Sequence, residues 1–306
     1  MTGQSIVVGV DGSPESAAAA AAGWMLAQAM GVDCRLVHVT RDVRSSLEMA
    51  GAGVSLDALE LAMLRRARDE IVTSLGNSVP PSVVQQLLVR PGRVAAVLND
   101  LITERDAQML VLGGKHHSAL GRWLGGSTVE EVVRRLNVPL LVTTGELRRR
   151  PRVMVAVDVS YAAKPTIEHA TTFAQLLGGP LHALHVVEPA VTVPEAILRP
   201  APLDYEAWSR ERMERDLWPL LPIPDHHKVI RRGQVAETIA QEAAAWRADV
   251  IVVGSHGKGW VDRLLIGSIT EALLNDLPTA MLVIPVPAPV RRQTAPARVR
   301  AAVALG

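Results

Sequence analysis

The sequence contains one cysteine, Cys34, in 306 residues. That excludes a disulfide framework and a cysteine-rich zinc site, and it suits a reducing compartment. Neither sign of charge is in excess: 32 Lys and Arg face 31 Asp and Glu, for a formal net charge of +1. There is thus no general electrostatic case for nucleic acid or an acidic lipid surface as partner. Membrane-length apolar runs are missing as well. Ala17 to Val32 carries no charge, but its sixteen residues fall short of the roughly 20 a span needs, and Glu15 and Asp33 flank it. A strand-like segment rather than a basic region precedes it, which argues against a cleaved signal. A buried helix and a cytoplasmic location are the expectations. Three enzyme signatures are absent too: the Gly-x-Ser-x-Gly elbow, the Gly-x-Gly-x-x-Gly fingerprint and a Walker A lysine. What is present, 48% apolar and 21% charged residues, belongs to a globular chain of about two domains.

Along the chain, short β-rich runs alternate with helical patterns. Ser5 to Val10 reads as a buried parallel strand. Asp11-Gly12-Ser13-Pro14 supplies a turn and a helix start, with Ser13 as N-cap and Pro14 at the first helical position, and that helix stops at Gly31. Cys34 to Thr40 is a second strand, Leu56 to Leu75 a helix, Val83 to Val89 a third strand and Val94 to Glu104 a helix. Ala107 to Leu112 is a fourth strand, Ser127 to Leu136 a helix and Leu140 to Thr143 a fifth strand. Such alternation predicts an α/β fold with a parallel sheet and helices on both faces.

After a basic linker the series begins again. Asp11 and Asp158 are 147 residues apart, as are His38 and His185. Ala107 to Gly113 matches Ala248 to Gly254, and Gly126-Ser127 matches Gly267-Ser268, both at an offset of 141. This is a tandem duplication. We divide it into domains at 1–146 and 147–287, followed by a Pro- and Arg-bearing tail, 288–306, expected to be disordered.

The second copy holds the most suggestive stretch. Val250 to Val253 leads into Gly254-Ser255-His256-Gly257, nine residues, then Gly267-Ser268 and a helical pattern. Strand, glycine loop and helix N-terminus suit a phosphate, because glycine lets backbone N–H groups approach and the helix end adds partial positive charge. An ordinary tight turn is the competing reading. Ser268 stands where an N-cap hydroxyl could bond the helix backbone or a ligand oxygen. In an open parallel sheet, ligands bind beyond the strands' carboxyl ends where strand order reverses. If the first and fourth strands of each copy are neighbours there, Asp158 shares a crevice with the glycine loop. Its carboxylate then either meets a ribose hydroxyl or Mg²⁺, or merely caps the next helix. Arg122 and Arg263 occupy matching loop positions and could neutralise phosphate or form ion pairs.

These residues resemble the universal stress protein family in its tandem form, over all but the tail. Gly254, Gly257, Gly267 and Ser268 match the family's Gly-x-x-Gly, nine residues, Gly-Ser/Thr signature, and Asp11-Gly12-Ser13 and Leu184-His185-Val186 are also similar. The resemblance implies two open five-stranded parallel sheets of order 3-2-1-4-5, adenine nucleotide alpha hydrolase-like, that bind ATP without a Walker loop, with Mg²⁺ as a candidate companion. It implies that Asp158 contacts the ribose or adenine side and that backbone near Val186 or Val187 contacts adenine. Gly254, Gly257, Gly267 and Ser268 would take the phosphates, with Ile269 beside them, while Arg263 keeps its two readings of phosphate contact and ion pair. It further implies pairing of the two domains inside the chain through their last strands, Leu141-Val142 and Val283-Ile284, with a homodimer of the whole chain conceivable.

In the first copy His116 stands where the second glycine belongs. Its site (Asp11, Val39, Gly113, Gly126, Ser127, Thr128) is therefore expected to be weaker or lost. In the second copy Val159 replaces the glycine after the aspartate. Nine histidines invite a metal reading, but none stands at zinc-ligand spacing with cysteine or carboxylate, so no metal site is assigned. His38 and His185 are expected to be hydrogen-bonded strand residues. The functional expectation is a nucleotide-binding stress or regulatory protein whose protein partner the sequence does not name. It is not a dedicated enzyme, although slow ATP hydrolysis is compatible with it. A nucleotide-using α/β enzyme, an interaction module with vestigial sites, and cyclic AMP as the ligand are the competing readings.

Overall fold

The computed structural model describes residues 4–41, 56–114, 132, 136–188, 205–255 and 267–286. The first half runs β1 (Ser5–Gly9), α1 (Pro14–Met30), β2 (Asp33–Thr40), α2 (Leu56–Leu75), α3 (Pro81–Gln85), β3 (Leu88–Pro91), α4 (Val94–Glu104), β4 (Ala107–Gly113) and β5 (Leu140–Thr143). The second runs β6 (Val153–Ala156), α5 (Ala163–Leu177), β7 (Leu181–Val187), α6 (Tyr205–Arg212), β8 (Lys228–Arg232), α7 (Val235–Trp246), β9 (Val250–Gly254), α8 (Ser268–Asn275) and β10 (Ala280–Ile284). A π-helical turn (Met213–Leu217) and 3₁₀ turns (Trp218–Leu220 and Asp225–His227) lie between α6 and β8.

Each half has the expected order. The two sheets are joined edge to edge into one of ten strands, β3-β2-β1-β4-β5-β10-β9-β6-β7-β8. The joint is the antiparallel pair β5–β10, with Leu282 opposite Leu141 and Val283 opposite Leu140. Pairing there covers two edges that would otherwise present unpaired backbone groups. Strand side chains alternate between two apolar layers: Ile6 and Val8 belong to the one that also holds buried residues of α1, α2 and α5, and Val7 to the one that holds those of α4, α7 and α8. Both faces of the sheet are thereby filled, and the uncharged run of α1 is accounted for, since Ala19, Ala20, Ala22, Gly23, Leu26 and Ala27 are buried against the strands. Among the described residues no helix is long and apolar enough to cross a membrane.

Local signals held at α1. Ser13 Oγ accepts from the Ser16 N–H at 3.2 Å, and Gly31 closes the helix at φ 68°. The third strand needs correction, because Val83 to Val89 is not one strand. Pro80-Pro81 starts the helical turn α3, with Val83 and Val84 N–H donating to Pro80 O at 2.9 and 3.2 Å. Proline's fixed φ at the first helical position outweighed the β preference of the two valines. The strand begins only at Leu88, paired with Val37.

Candidate functional site

In the second half, β6 lies between β7 and β9, parallel to both, and the strand order reverses between β6 and β9. Val155 stands opposite Val252, so Val157-Asp158 and Gly254-Ser255 leave the sheet side by side at its carboxyl edge. On the other flank β7 ends with Val186 and Val187, both buried. His185 ties the two strands together: its Nδ1 lies 2.8 Å from Val157 O, and its Nε2 lies 3.2 Å from Ser209 Oγ on α6. His38 makes the matching contact in the first half, 2.8 Å to Val10 O. Both are the hydrogen-bonded strand histidines expected.

Asp158 does not cap the next helix itself. Its Oδ1 accepts from the Ser160 N–H at 3.1 Å and the Ser160 hydroxyl at 2.6 Å, and Ser160 Oγ in turn accepts from the Ala162 N–H at 3.1 Å. Asp11 braces Ser13 in the same way, at 3.0 and 2.5 Å. The motif therefore survives the change from Gly12, at φ 84°, to Val159, which is not among the residues at positive φ. A carboxylate held by two donors is fixed in position before any ligand arrives. Burial, and then the charge of Asp158, hold the phenol of Tyr161 above its ordinary pKa.

The turn from β9 into α8 is closed at its base. Gly267 N–H donates to Ser255 O at 2.9 Å, and Ser255 N–H to Ile284 O at 2.8 Å. Ser255 Oγ accepts from the Val286 N–H at 3.0 Å. Thr270, on the first turn of α8, donates its hydroxyl to Gly254 O at 2.9 Å. This clamp was not anticipated from the sequence. The signal available was the aligned pair Thr270 and Val129, since only the second copy carries a hydroxyl there. Ser268 also needs correction. Gly267, extended at φ −61°, ψ 137°, is the N-cap, and Ser268 is the first helical residue. Ser268 is exposed, and the N–H groups of Ser268 and Ile269 have no intrahelical acceptor by helix geometry.

In the first half, Asp11, Val39 and Gly113 stand at the ends of β1, β2 and β4 in the same relation. Gly113 has a packing reason of its own. A Cβ there would lie 2.7 Å from the Glu15 carbonyl carbon and 2.8 Å from Ser16 N, so α1 could not start so close to β4. Because β5 and β10 are antiparallel, the two candidate sites lie on opposite edges of the sheet. Gly257, Arg263, Arg122, His116, Gly126, Ser127 and Thr128 lie outside the described residues. Among the described residues no cluster of three or more His, Cys, Asp or Glu could hold a metal.

With this geometry in view, comparison with known proteins is decisive. The sequence profile of the universal stress protein family matches residues 3–144 and again residues 150–285. The chain belongs to the universal stress protein family. A universal stress protein of Mycolicibacterium smegmatis is 29% identical over 296 residues, covering 92% of this chain and 97% of that protein. Another, of Mycobacterium tuberculosis, is 28% identical over 297 residues, covering 88% and 93%. The crystal structure of a universal stress protein from Archaeoglobus fulgidus superposes with a TM-score of 0.61 at 19% identity, covering 93% of this chain and 97% of that one. This family's fold is adenine nucleotide alpha hydrolase-like, in agreement with the topology above.

Proposed function

We propose that this universal stress protein binds an adenine nucleotide, with ATP as the leading candidate, at the carboxyl edge of its second half, and acts as a nucleotide-dependent regulator in a stress response. One observation carries the reading: a braced carboxylate, the end of β7 and a clamped strand-to-helix turn converge where the strand order reverses. The groups fit the ligand. Asp158 can accept from ribose hydroxyls, and backbone at Val186 and Val187 can meet adenine. The N–H groups of Ser268 and Ile269 and the Ser268 hydroxyl can meet phosphate, joined by Gly254, Gly257, Gly267 and Arg263. Mg²⁺ would add charge neutralisation between phosphates. The site in the 1–146 domain, with His116 in its loop, is assigned weaker binding or none.

The test is to purify the full chain gently, denature it, and identify released nucleotide by mass spectrometry, beside Gly257→Val. ATP from wild type and none from the variant supports the reading, while cyclic AMP in its place changes the ligand but not the site. If neither protein carries nucleotide and neither melting temperature moves with ATP or cyclic AMP, the site assignment fails. Sustained turnover well beyond slow hydrolysis would favour an enzyme that uses nucleotide as a substrate.

A further inference from the structure

At the amino end of β7, far from the candidate site, the second half carries a cluster of rings. His182 is 3% exposed. Its Nε2 lies 3.1 Å from Glu242 Oε1. Facing a carboxylate, Nε2 carries the proton, which leaves a lone pair on Nδ1. That Nδ1 is buried and has no hydrogen-bond partner among the described residues. The imidazole stacks on Trp246 at 4.9 Å, and His227 meets it edge-on at 5.8 Å. His226 lies 4.3 Å from His227, and the Arg152 guanidinium sits 4.2 Å above the Trp246 ring.

The first half supplies an internal comparison. His182 pairs with Met154 in β6 as Arg35 pairs with Val7 in β1. Arg35, a permanent cation, there meets the side chains of Gln86 and Asp33. By the same alignment Gln86 corresponds to His227 and Arg105 to Trp246. One corner of the molecule thus places an arginine, a glutamine and an aspartate where its duplicate places two imidazoles on an indole.

We propose that His182 and His227, packed on Trp246, form an acid-sensitive latch that holds the 225–227 turn and edge strand β8 to the sheet at neutral pH and releases them on protonation. A proton on His182 Nδ1 would create an N–H donor without an acceptor in a buried apolar contact. It would also add a cation where Glu242 is already matched by Arg231 at 2.8 Å. Among the described residues, the other charges at this corner leave no spare anion. From the turn come His226, His227 and Asp225, the last engaged by Lys228 of β8 at 3.1 Å. From the approach to β6 comes Arg152, whose backbone N–H donates to Asp249 at 2.8 Å.

Burial depresses the pKa of His182, opposed by its bond to Glu242. Burial also depresses that of His227, assisted by His226 and Arg152. Both rings are therefore favoured neutral in the closed state, and on opening they return towards about 6.5. The latch is complete above about pH 6.5 and weakens as pH falls below it, by up to about tenfold in the opening constant per pH unit for each proton. β8 is the element that yields, because among the described residues it is an edge strand, paired with β7 alone.

The test is hydrogen–deuterium exchange of the full chain between about pH 7.5 and about pH 5.5, corrected for intrinsic rates, with the opposite edge strand β3 as reference. Protection across residues 225–232 should fall about tenfold or more while 86–91 holds. His182→Gln keeps an N–H for Glu242 but cannot be protonated, and should flatten the response, as His227→Gln should in part. An NMR titration of the wild-type imidazoles stands independently of either variant's folding. Equal loss of protection at both edges, an unchanged pH response in His182→Gln, or His182 titrating at or above about 6.5 would overturn the proposal.

Discussion

Replacing Gly23 by alanine sets two effects of known size against each other. Gly23 lies inside α1 among alanines, and at an open helical position the change should stabilise by about 1 kcal/mol. Here an added Cβ would sit 2.4 Å from Val8 Cγ2 and 3.8 Å from Val111 Cγ2. Both valines are 0% exposed, and Val8, branched at Cβ, has little freedom at χ1 to move its methyl away. Overpacking of this kind costs about 1–3 kcal/mol. The helix term offsets part of it, so Gly23→Ala should be less stable than wild type by about 1 kcal/mol. Val8→Ala removes the obstructing methyl. The double variant should therefore recover about 1–3 kcal/mol relative to the sum of the singles. Denaturant titration of the four proteins, read from midpoints at constant slope, measures the cycle. A Gly23→Ala protein more stable than wild type, or changes additive within about 0.5 kcal/mol, would refute this account of how α1 seats on β1.

The remaining expectations concern the site, the seam and the lone thiol. Thr270→Val preserves shape but removes the donor to Gly254 O. It should lose about 1–2 kcal/mol of stability and weaken ATP binding in a calorimetric titration, so wild-type affinity would separate the clamp from the site. Leu282→Ala, at a residue 1% exposed opposite Leu141 in the seam, should cost about 2–5 kcal/mol. Because one apolar layer runs through both halves, probes in each half should record the loss together. Independent unfolding of the halves would contradict a continuous core. Burial pushes the Cys34 thiol up to about 12, so alkylation near neutral pH should be negligible in the native protein and complete once denatured.

The candidate site was legible in sequence as strand ends. Asp158 and Gly254 were placed from runs that stop at a particular residue, Val186 and Val187 from the family resemblance, and the structure sets these strand ends side by side. The roles within the site were less legible. That Asp158 braces Ser160 rather than capping a helix itself was seen only in the hydrogen bonds, where Asp11 does the same for Ser13. Ser268 moved from N-cap to first helical position because Gly267 took the extended conformation. Thr270 gained a purpose only when β9 and α8 were brought to hydrogen-bonding distance.

What the sequence alone determined is what repeats locally. The alternation of strand and helix, the cap at Ser13, the stop at Gly31 and the duplication are all written in neighbouring residues. The duplication reaches even the paired left-handed residues Asp106 and Arg247, 141 positions apart, at φ 45° and 54°. What only the tertiary structure decided is where distant segments meet. Where β3 begins, at Leu88 opposite Val37, was set by its register on β2. The His182–Trp246–His227 cluster gathers rings from three separate elements. The physical reason is the same throughout: period and capping act over a few residues, whereas register, burial and the partner of a buried nitrogen are set by the packing of the whole sheet.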